Sequence, residues 1–329
     1  MNPIKPSTFP TILRNSHRTL RPQSFVPTSY QCWRSYSAQA SPSLVRATSL
    51  PAPHTGRIRV LTLNRPSARN AISAALLNEL HAEVAAIAAE RGEGDTRALV
   101  LASDVDGTFC AGADLKERRG MSAEETAAFL SLLRSTFTTI STLPVPTLCA
   151  VAGTAFGGGL ELALTTHLRV FASTATVALP ETRLGIVPGA GGTYRLPGLI
   201  GLARARDLIL TGRRVDAPEA YFLGICDRLV QVLPEDEVEK VEMEGLDPDR
   251  SAAAMRQARD VALTTTVEVA RQICDGGPVA VRLALQAVEA CALGEKAENA
   301  AYEQVLKTED RMEALRAFAE KRKPAYKGR

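Results

Sequence analysis

The stretch "FGGGLELAL", Phe156–Leu164, places three consecutive glycines directly before an apolar segment that contains one glutamate, Glu161. Glycine weakens helices and a buried carboxylate is costly, so the combination needs a reason. Residues 146–153, "PTLCAVAG", are apolar and predict a buried strand just before it. A helix that begins at Gly157 or Gly158 leaves its first amides without partners, and glycine leaves them uncovered. The stretch therefore predicts a site where amides, the helix dipole and Glu161 meet one ligand.

The chain around this stretch alternates predicted strands with predicted helices as far as about residue 230. From 252 to 318 every periodic segment is helical. This order predicts a largely parallel, layered α/β body followed by a helical C-terminal region. The main predicted strands are 57–64, 97–103 and 146–153, and the main predicted helices are 73–90 and 121–142.

The first 36 residues differ in composition from the rest of the chain. They contain no Asp or Glu, many Ser and Pro, and five cations, which are Lys5, Arg14, Arg18, Arg21 and Arg34. The whole chain has a formal charge of only +3, so the remainder is slightly acidic. This composition is typical of a mitochondrial transit peptide, with cleavage near Ser37. A tail with no targeting role is the alternative.

The remaining boundaries follow from composition and periodicity. Residues 37–56 are predicted to be a linker, and 57–251 the core. Within the core, 234–251 is an acidic, non-periodic stretch that we interpret as a solvated insertion. Residues 252–329 form the helical C-terminal region.

Several function classes lack their motifs. The six cysteines contain no CxxC pair and the four histidines no HExxH, so no metal site is expected. No GxxxxGK[ST], GxGxxG or GxSxG occurs, which argues against a P-loop NTPase, a dinucleotide site and a serine hydrolase. No apolar run approaches the ~18 residues of a membrane-spanning helix, so no membrane insertion is expected.

Two further segments are predicted to reach the same sheet edge as Glu161. "FCAGADL", 109–115, follows a strand and leaves its backbone uncovered at Ala113, and Glu181 follows Pro180 at another strand end. Ligand sites of α/β proteins lie at the carboxyl ends of strands. Taken singly, the glycines could serve helix packing, Glu161 could stabilise a helix start, and Glu181 could be an exposed turn acid. Together they favour a site.

Four segments resemble the enoyl-CoA hydratase/isomerase (crotonase) family: "FCAGADLKER", "LPVPTLCAVAGTAFGGGLELAL", "LPETRLGIVPGAGGTYRLP" and "AFAEKRKPAYKGR". The resemblance covers about residues 57–329, apart from 234–251. It implies an α/β fold, a crotonase-like ββα spiral with a helical C-terminal oligomerisation region. It also implies a homotrimer or a dimer of trimers, and an acyl-CoA thioester substrate with no separate cofactor.

The resemblance also implies roles for particular residues. The N–H groups of Ala113 and Gly158 would form an oxyanion hole for the thioester oxygen. Glu161 and Glu181 would be the catalytic pair that adds water across an α,β double bond, and the presence of both favours hydration over isomerisation. Contacts with substrate or coenzyme A are assigned to Arg65, Arg69, Ala111, Asp114, Lys116, Gly189, Tyr302 and Lys321, the last two reaching a neighbouring subunit.

"TEDRMEALRAF" and "PAYKG" are most similar to family members that hydrate 3-methylglutaconyl-CoA in leucine degradation, in the mitochondrial matrix. The distal carboxylate of that substrate calls for a cation, for which Arg183, Arg118 and Arg119 are candidates. A short- or medium-chain hydratase of fatty-acid β-oxidation is the first alternative. An RNA-binding protein with a vestigial fold is another, but the first helix has no lysine, so RNA binding is not expected. The third alternative is an inactive structural trimer, against which both glutamates argue.

Overall fold

The computed structural model describes residues 43–232 and 248–329. The strands are β1 (Val45–Pro51), β2 (Arg57–Leu63), β3 (Thr96–Ser103), β4 (Thr108–Cys110), β5 (Thr147–Val151), β6 (Thr154–Phe156), β7 (Leu168–Ala172), β8 (Thr176–Ala178), β9 (Val215–Asp216) and β10 (Arg228–Val230). The helices are α1 (Ala74–Ala89), α2 (Leu115–Arg118), α3 (Ala123–Ser141), α4 (Gly158–Ala163), α5 (Gly192–Ile200), α6 (Leu202–Thr211), α7 (Ala217–Leu223), α8 (Pro248–Cys274), α9 (Pro278–Glu289), α10 (Glu295–Val305) and α11 (Glu309–Ala319).

Successive ββα units build two sheets. The first strand of each unit (β3, β5, β7) joins a six-stranded sheet in the order β1-β2-β3-β5-β7-β10, and the second strand (β4, β6, β8) joins a smaller sheet in the order β4-β6-β8-β9. β4, β6 and β8 are parallel, so the loops that follow them emerge at one edge of the smaller sheet. The predicted α/β fold class is confirmed, with α8 to α11 as its helical C-terminal region.

The six-stranded sheet is covered on both faces. Ile58 and Val60 of β2 and Val100 of β3 pack against Ala270 and its neighbours on α8. The alternate residues of the same strands, Leu61, Leu63, Leu99 and Leu101, belong to the main core with α1 and α3. This double burial explains why residues 98–102 of β3 and 148–151 of β5 are apolar without interruption. Each fully buried Leu or Ile contributes roughly 1.5–3 kcal/mol.

The two long helices of the core begin at side-chain caps that the sequence displays. The Ser73 hydroxyl accepts a hydrogen bond from the N–H of Leu76 at the start of α1. Ser122 and Glu125 form a reciprocal capping box at the start of α3. Such caps satisfy the unpaired amides of a helix start. Both helices were predicted within two residues of their bounds.

The predictions fail at two boundaries. The expected linker, 37–56, contains β1, which pairs along its whole length with β2. β1 is an edge strand with mostly exposed side chains, so its sequence lacks apolar alternation. Residues 1–42 and 233–247 lie outside the described residues, and with them the predicted transit peptide and most of the predicted insertion 234–251. The end of that insertion, 248–251, is instead the first turn of α8.

Within the described ranges, no helix combines the length and apolar character needed to cross a membrane.

Candidate active site

A cavity of about 500 Å³ opens at the edge where β4, β6 and β8 end. Glu161 and Glu181 both line it, together with Ala113 and Gly158. Its walls are otherwise mainly apolar, and exposed side chains such as Val187 lie at its margin. The fold therefore brings the four residues of the predicted centre into one cavity.

Two backbone amides point into the cavity from different loops. The N–H of Ile72 donates to the Gly112 carbonyl at 2.8 Å, and the N–H of Asp114 donates to the Ile72 carbonyl at 3.1 Å. In this bridge the amide of the intervening Ala113 faces away from Ile72. A Cβ built on Gly158 would lie 3.6 Å from the Ala113 nitrogen. Within the described chain neither the Ala113 nor the Gly158 amide has an acceptor, so one oxygen could receive both.

Each glycine of the triplet has its own structural reason. Gly157 has φ 52° and a Cβ there would lie 2.8 Å from Oε1 of Glu181. Gly158 is the first residue of α4 and presents its free amide. A Cβ on Gly159 would lie 2.1 Å from the carbonyl oxygen of Cys110, so only glycine lets α4 approach β4 this closely.

Glu161 is held by the backbone of a distant loop. Its side chain is almost fully buried, with the residue 3% exposed. Oε1 accepts hydrogen bonds from the N–H groups of Ala190 and Gly192, each at 2.8 Å. Burial raises the pKa of Glu161, while these amides act in the opposite direction because they stabilise the carboxylate.

Glu181 is buried without comparable support. It begins a short 3₁₀ turn, Glu181–Leu184, and is 7% exposed. Its Oε2 is buried and has no hydrogen-bond partner in the part of the chain that the structure describes. Burial raises the pKa of Glu181 to about 7, and the nearby charge of Glu161 contributes to the rise. A carboxyl in such surroundings readily holds a proton.

Arg195 supports the loop whose amides donate to Glu161, and the sequence did not predict this role. Its guanidinium donates to the Ala190 carbonyl at 2.8 Å and to Oγ of Ser141 at 3.3 Å. Its charge lowers the pKa of Glu161, against the larger effect of burial. Arg195 lies near the start of α5, where no local motif marks it as part of a site.

Of the residues expected to contact substrate or coenzyme A, some line the cavity and others do not. Ala111 and Gly189 line the cavity. Arg65 is not a free cation, because it pairs with Asp114 at 2.8 Å and also donates to a backbone carbonyl. Asp114 in turn caps α2 through two backbone N–H groups. Arg69, Lys116, Tyr302 and Lys321 are exposed and do not line the cavity.

The candidate cations for a distal carboxylate separate in the same way. Arg118 lines the cavity, whereas Arg119 does not. Arg183 donates its Nε–H to the Thr211 carbonyl at 2.6 Å and, like Arg119, is not among the residues that line the cavity. Arg134 lines the cavity and was missed, because it lies in mid-helix on α3 where no local motif marks it.

Among the residues described, no three His, Cys, Asp or Glu side chains cluster as metal ligands would.

Known proteins resemble this chain over nearly its whole length. Residues 54–329 match the enoyl-CoA hydratase/isomerase family. "Methylglutaconyl-CoA hydratase 1, mitochondrial" of Pyricularia oryzae is 57% identical, over 90% of each chain. An enoyl-CoA isomerase/hydratase of Zymoseptoria tritici is 52% identical, over 98% of this chain and 100% of its own. The crystal structure of an enoyl-CoA hydratase from Bacillus anthracis superposes with TM-score 0.74 at 38% identity, over 87% of this chain and 100% of its own. The resemblance seen in the sequence is therefore confirmed: the chain belongs to the enoyl-CoA hydratase/isomerase family.

Proposed function

We propose that the chain is an enoyl-CoA hydratase, a hydro-lyase that adds water across the α,β double bond of an acyl-CoA thioester. Its main substrate would be 3-methylglutaconyl-CoA, which hydration converts to 3-hydroxy-3-methylglutaryl-CoA. One observation carries the proposal: two differently supported carboxyl groups, Glu161 and Glu181, share a cavity with the free amides of Ala113 and Gly158.

The amides supply the electrostatic part of the reaction. When hydroxide adds to the β-carbon, negative charge moves onto the thioester oxygen. The N–H groups of Ala113 and Gly158 would receive that oxygen and stabilise the enolate. Loss of one such donor typically lowers the rate by about 10²–10³-fold.

The glutamates divide the proton transfers. Glu161 is the better carboxylate, because Ala190 and Gly192 donate to it, so it accepts a proton from water. Glu181 holds its proton and delivers it to the α-carbon, which restores the thioester carbonyl. Afterwards Glu161 carries the proton and Glu181 is ionised, so the pair must exchange one proton before the next turnover. Positioned acid–base groups are worth roughly 10²–10⁴-fold.

The relatives support hydration and the proposed substrate. One relative is named a methylglutaconyl-CoA hydratase and the other an isomerase/hydratase. A double-bond isomerisation needs only one group to move a proton within the substrate, whereas Glu161 and Glu181 both face this cavity. A short- or medium-chain enoyl-CoA hydratase of fatty-acid oxidation is the second candidate, since the cavity wall is mostly apolar.

Location and assembly complete the proposal. We place the mature chain in the mitochondrial matrix, because residues 1–36 have the composition of a transit peptide and one relative is named mitochondrial. A homotrimer or a dimer of trimers is supported by apolar side chains that the C-terminal helices expose, such as Phe318 at 87% and Tyr302 at 63%. In such an assembly Tyr302 and Lys321 would reach a neighbouring subunit's coenzyme A, and Arg69 and Lys116 the subunit's own. Coenzyme A would be part of the substrate, with no separate cofactor.

The test is an assay of hydration with crotonyl-CoA and 3-methylglutaconyl-CoA side by side. Wild type should hydrate both, and Glu161→Gln and Glu181→Gln should each lose most of the activity. Turnover of neither substrate by wild type, or full activity in either variant, would refute the proposal. A gel shift at physiological salt with nanomolar affinity would instead favour the RNA-binding alternative.

A further inference from the structure

We propose that Arg134 and Arg118 form a subsite for a carboxylate at the far end of the acyl chain, so that the cavity selects enoyl-CoA thioesters of dicarboxylic acids. The proposal rests on the hydratase function above and concerns which acyl groups the same cavity prefers. It assigns specificity to two side chains that take no part in the proton transfers.

Arg134 is anchored beside the loop that holds Glu161. Its Nε–H donates to the carbonyl of Gly189 at 2.7 Å. The next residue, Ala190, donates its own N–H to Glu161. The guanidinium therefore lies along the cavity wall within one residue of the segment that supports the proposed base. Its terminal nitrogens have no acceptor in the described part of the chain, so they are free to bind an anion.

Neither cation has an acidic partner. Among the ion pairs of the described residues, none involves Arg118 or Arg134, and the only acids lining the cavity there are Glu161 and Glu181. The wall around Arg134 is apolar and includes Leu130. Polar groups placed in a mainly apolar pocket orient the ligand and provide specificity. Arg134 is exposed and Arg118 half-buried where they line the cavity, so both unpaired guanidinium groups are accessible to an anionic group of the ligand.

A five-carbon dicarboxylic acyl group would carry its second carboxylate toward this part of the cavity. With its thioester oxygen at the amides of Ala113 and Gly158, its β-carbon would lie between the glutamates, and its second carboxyl carbon is two bonds further on. The Gly189–Ala190 segment, where Arg134 is anchored, adjoins Glu161, because the N–H of Ala190 donates to Oε1 of Glu161 at 2.8 Å. A guanidinium can bind a carboxylate through two parallel N–H groups, which makes it selective for that group.

The same cations could instead bind a phosphate of coenzyme A. The two roles differ in what they predict for different acyl groups. A contact with coenzyme A matters equally for every thioester, whereas a carboxylate subsite matters only for substrates with a second carboxyl group. Comparison of two substrates that differ in this group separates them.

The experiment measures kcat/KM of wild type, Arg134→Met, Arg118→Met and Arg134→Lys on 3-methylglutaconyl-CoA and on crotonyl-CoA. We expect each Met variant to lose about 10–100-fold on the dicarboxylic substrate, the usual worth of a charged hydrogen bond, and little on crotonyl-CoA. Arg134→Lys should keep part of the preference, because it keeps the charge but not the paired donors. Arg206→Met, on the exposed surface of α6 and away from the cavity, is the matched control.

Competition between product-like thioesters gives a second readout that does not need turnover. Glutaryl-CoA should inhibit wild type more strongly than butyryl-CoA, and the Met variants should remove that difference. Equal losses on both substrates, or an unchanged ratio in every variant, would overturn the subsite while leaving the hydratase intact. If wild type hydrates neither substrate, the hydratase function fails and the subsite with it.

Discussion

The two glutamates of the cavity are the same residue type in two differently built surroundings. Glu161 lies in the first turn of α4, and a loop from elsewhere in the chain donates two N–H groups to it. Glu181 begins a 3₁₀ turn after β8, and its Oε2 has no partner among the described residues. The difference indicates that backbone amides, rather than residue type, decide which carboxyl gives up its proton first.

Both surroundings depend on glycine for opposite reasons. At Gly192 an added Cβ would lie 3.0 Å from Leu179 and 3.2 Å from Oε1 of Glu161, so the glycine lets this tightly packed segment bring its amide to the carboxylate. At Gly157 an added Cβ would lie 2.8 Å from Oε1 of Glu181, so the glycine makes room for a carboxyl to which its own amide does not donate. One glycine supplies a donor and the other supplies space.

The largest effect should come from removing either carboxylate. Glu161→Gln and Glu181→Gln should each lower kcat by about 10²–10⁴-fold, because each abolishes one proton transfer. Their residual activities should differ in pH dependence. The Glu161→Gln enzyme should still lose activity as pH rises through the pKa of Glu181, and that pKa should fall below about 7 because the neighbouring charge is gone. The Glu181→Gln enzyme should lack this alkaline limb. Identical profiles would contradict the division of roles.

The same contrast should appear in stability. The pKa of Glu181 is raised from 4.5 to about 7, so the folded protein binds more protons than the unfolded chain between these values. By linkage, the contribution of Glu181 to the free energy of unfolding, relative to a neutral side chain, is most favourable below pH 4.5. This contribution is lost as pH rises through 7. Glu181→Gln should therefore have a higher free energy of unfolding than wild type at pH 8, by up to about 3 kcal/mol. At pH 5 this difference should be smaller. Urea unfolding at the two pH values measures this, and a gap that does not change with pH would contradict it.

Gly157→Ala tests the space beside Glu181. The new Cβ meets Oε1 of Glu181, and φ 52° is unfavourable for alanine. Displacing a reacting group by a fraction of an ångström to an ångström should lower kcat by roughly 10–100-fold. Gly198→Ala is the matched control, because a Cβ there meets nothing within 4 Å and φ is not positive. Equal kinetics of the two variants would show that Glu181 does not need this glycine.

The smallest effect should come from Arg195, which acts on Glu161 through the loop. Arg195→Met should raise the pKa of Glu161, since the positive charge that lowers it is removed. The acid limb of the kcat/KM profile should then move to higher pH, and Arg195→Lys should restore part of the shift. If the acid limb of Arg195→Met lies at the same pH as that of wild type, Arg195 does not influence the pKa of Glu161.

Much of this arrangement could be predicted from the sequence because it is local. The glycines at 157–159 and Glu161 share one stretch, and Ala113 and Glu181 follow recognisable strand ends. Parallel strands then place these ends at one edge. The identity of the amides that hold Glu161 could not be predicted, because Ala190 and Gly192 lie 29 and 31 residues away.

Other features left no local signal at all. β1 has an exposed, mixed sequence that is indistinguishable from a linker until β2 pairs with it. Arg134 and Arg195 lie on helices, where a single cation normally indicates a solvated face. Their positions at the cavity depend on how α3 and α5 pack, which spacing along the chain does not reveal.

The most direct test is a carbon-13 NMR titration of glutamate side-chain carboxyls in wild type, Glu161→Gln and Glu181→Gln. Wild type should show a carboxyl that titrates near pH 7, and this signal should be missing from Glu181→Gln. In Glu161→Gln it should remain but titrate at lower pH. If the signal near pH 7 persists in Glu181→Gln and disappears in Glu161→Gln, the roles of the two glutamates are reversed and the account is wrong.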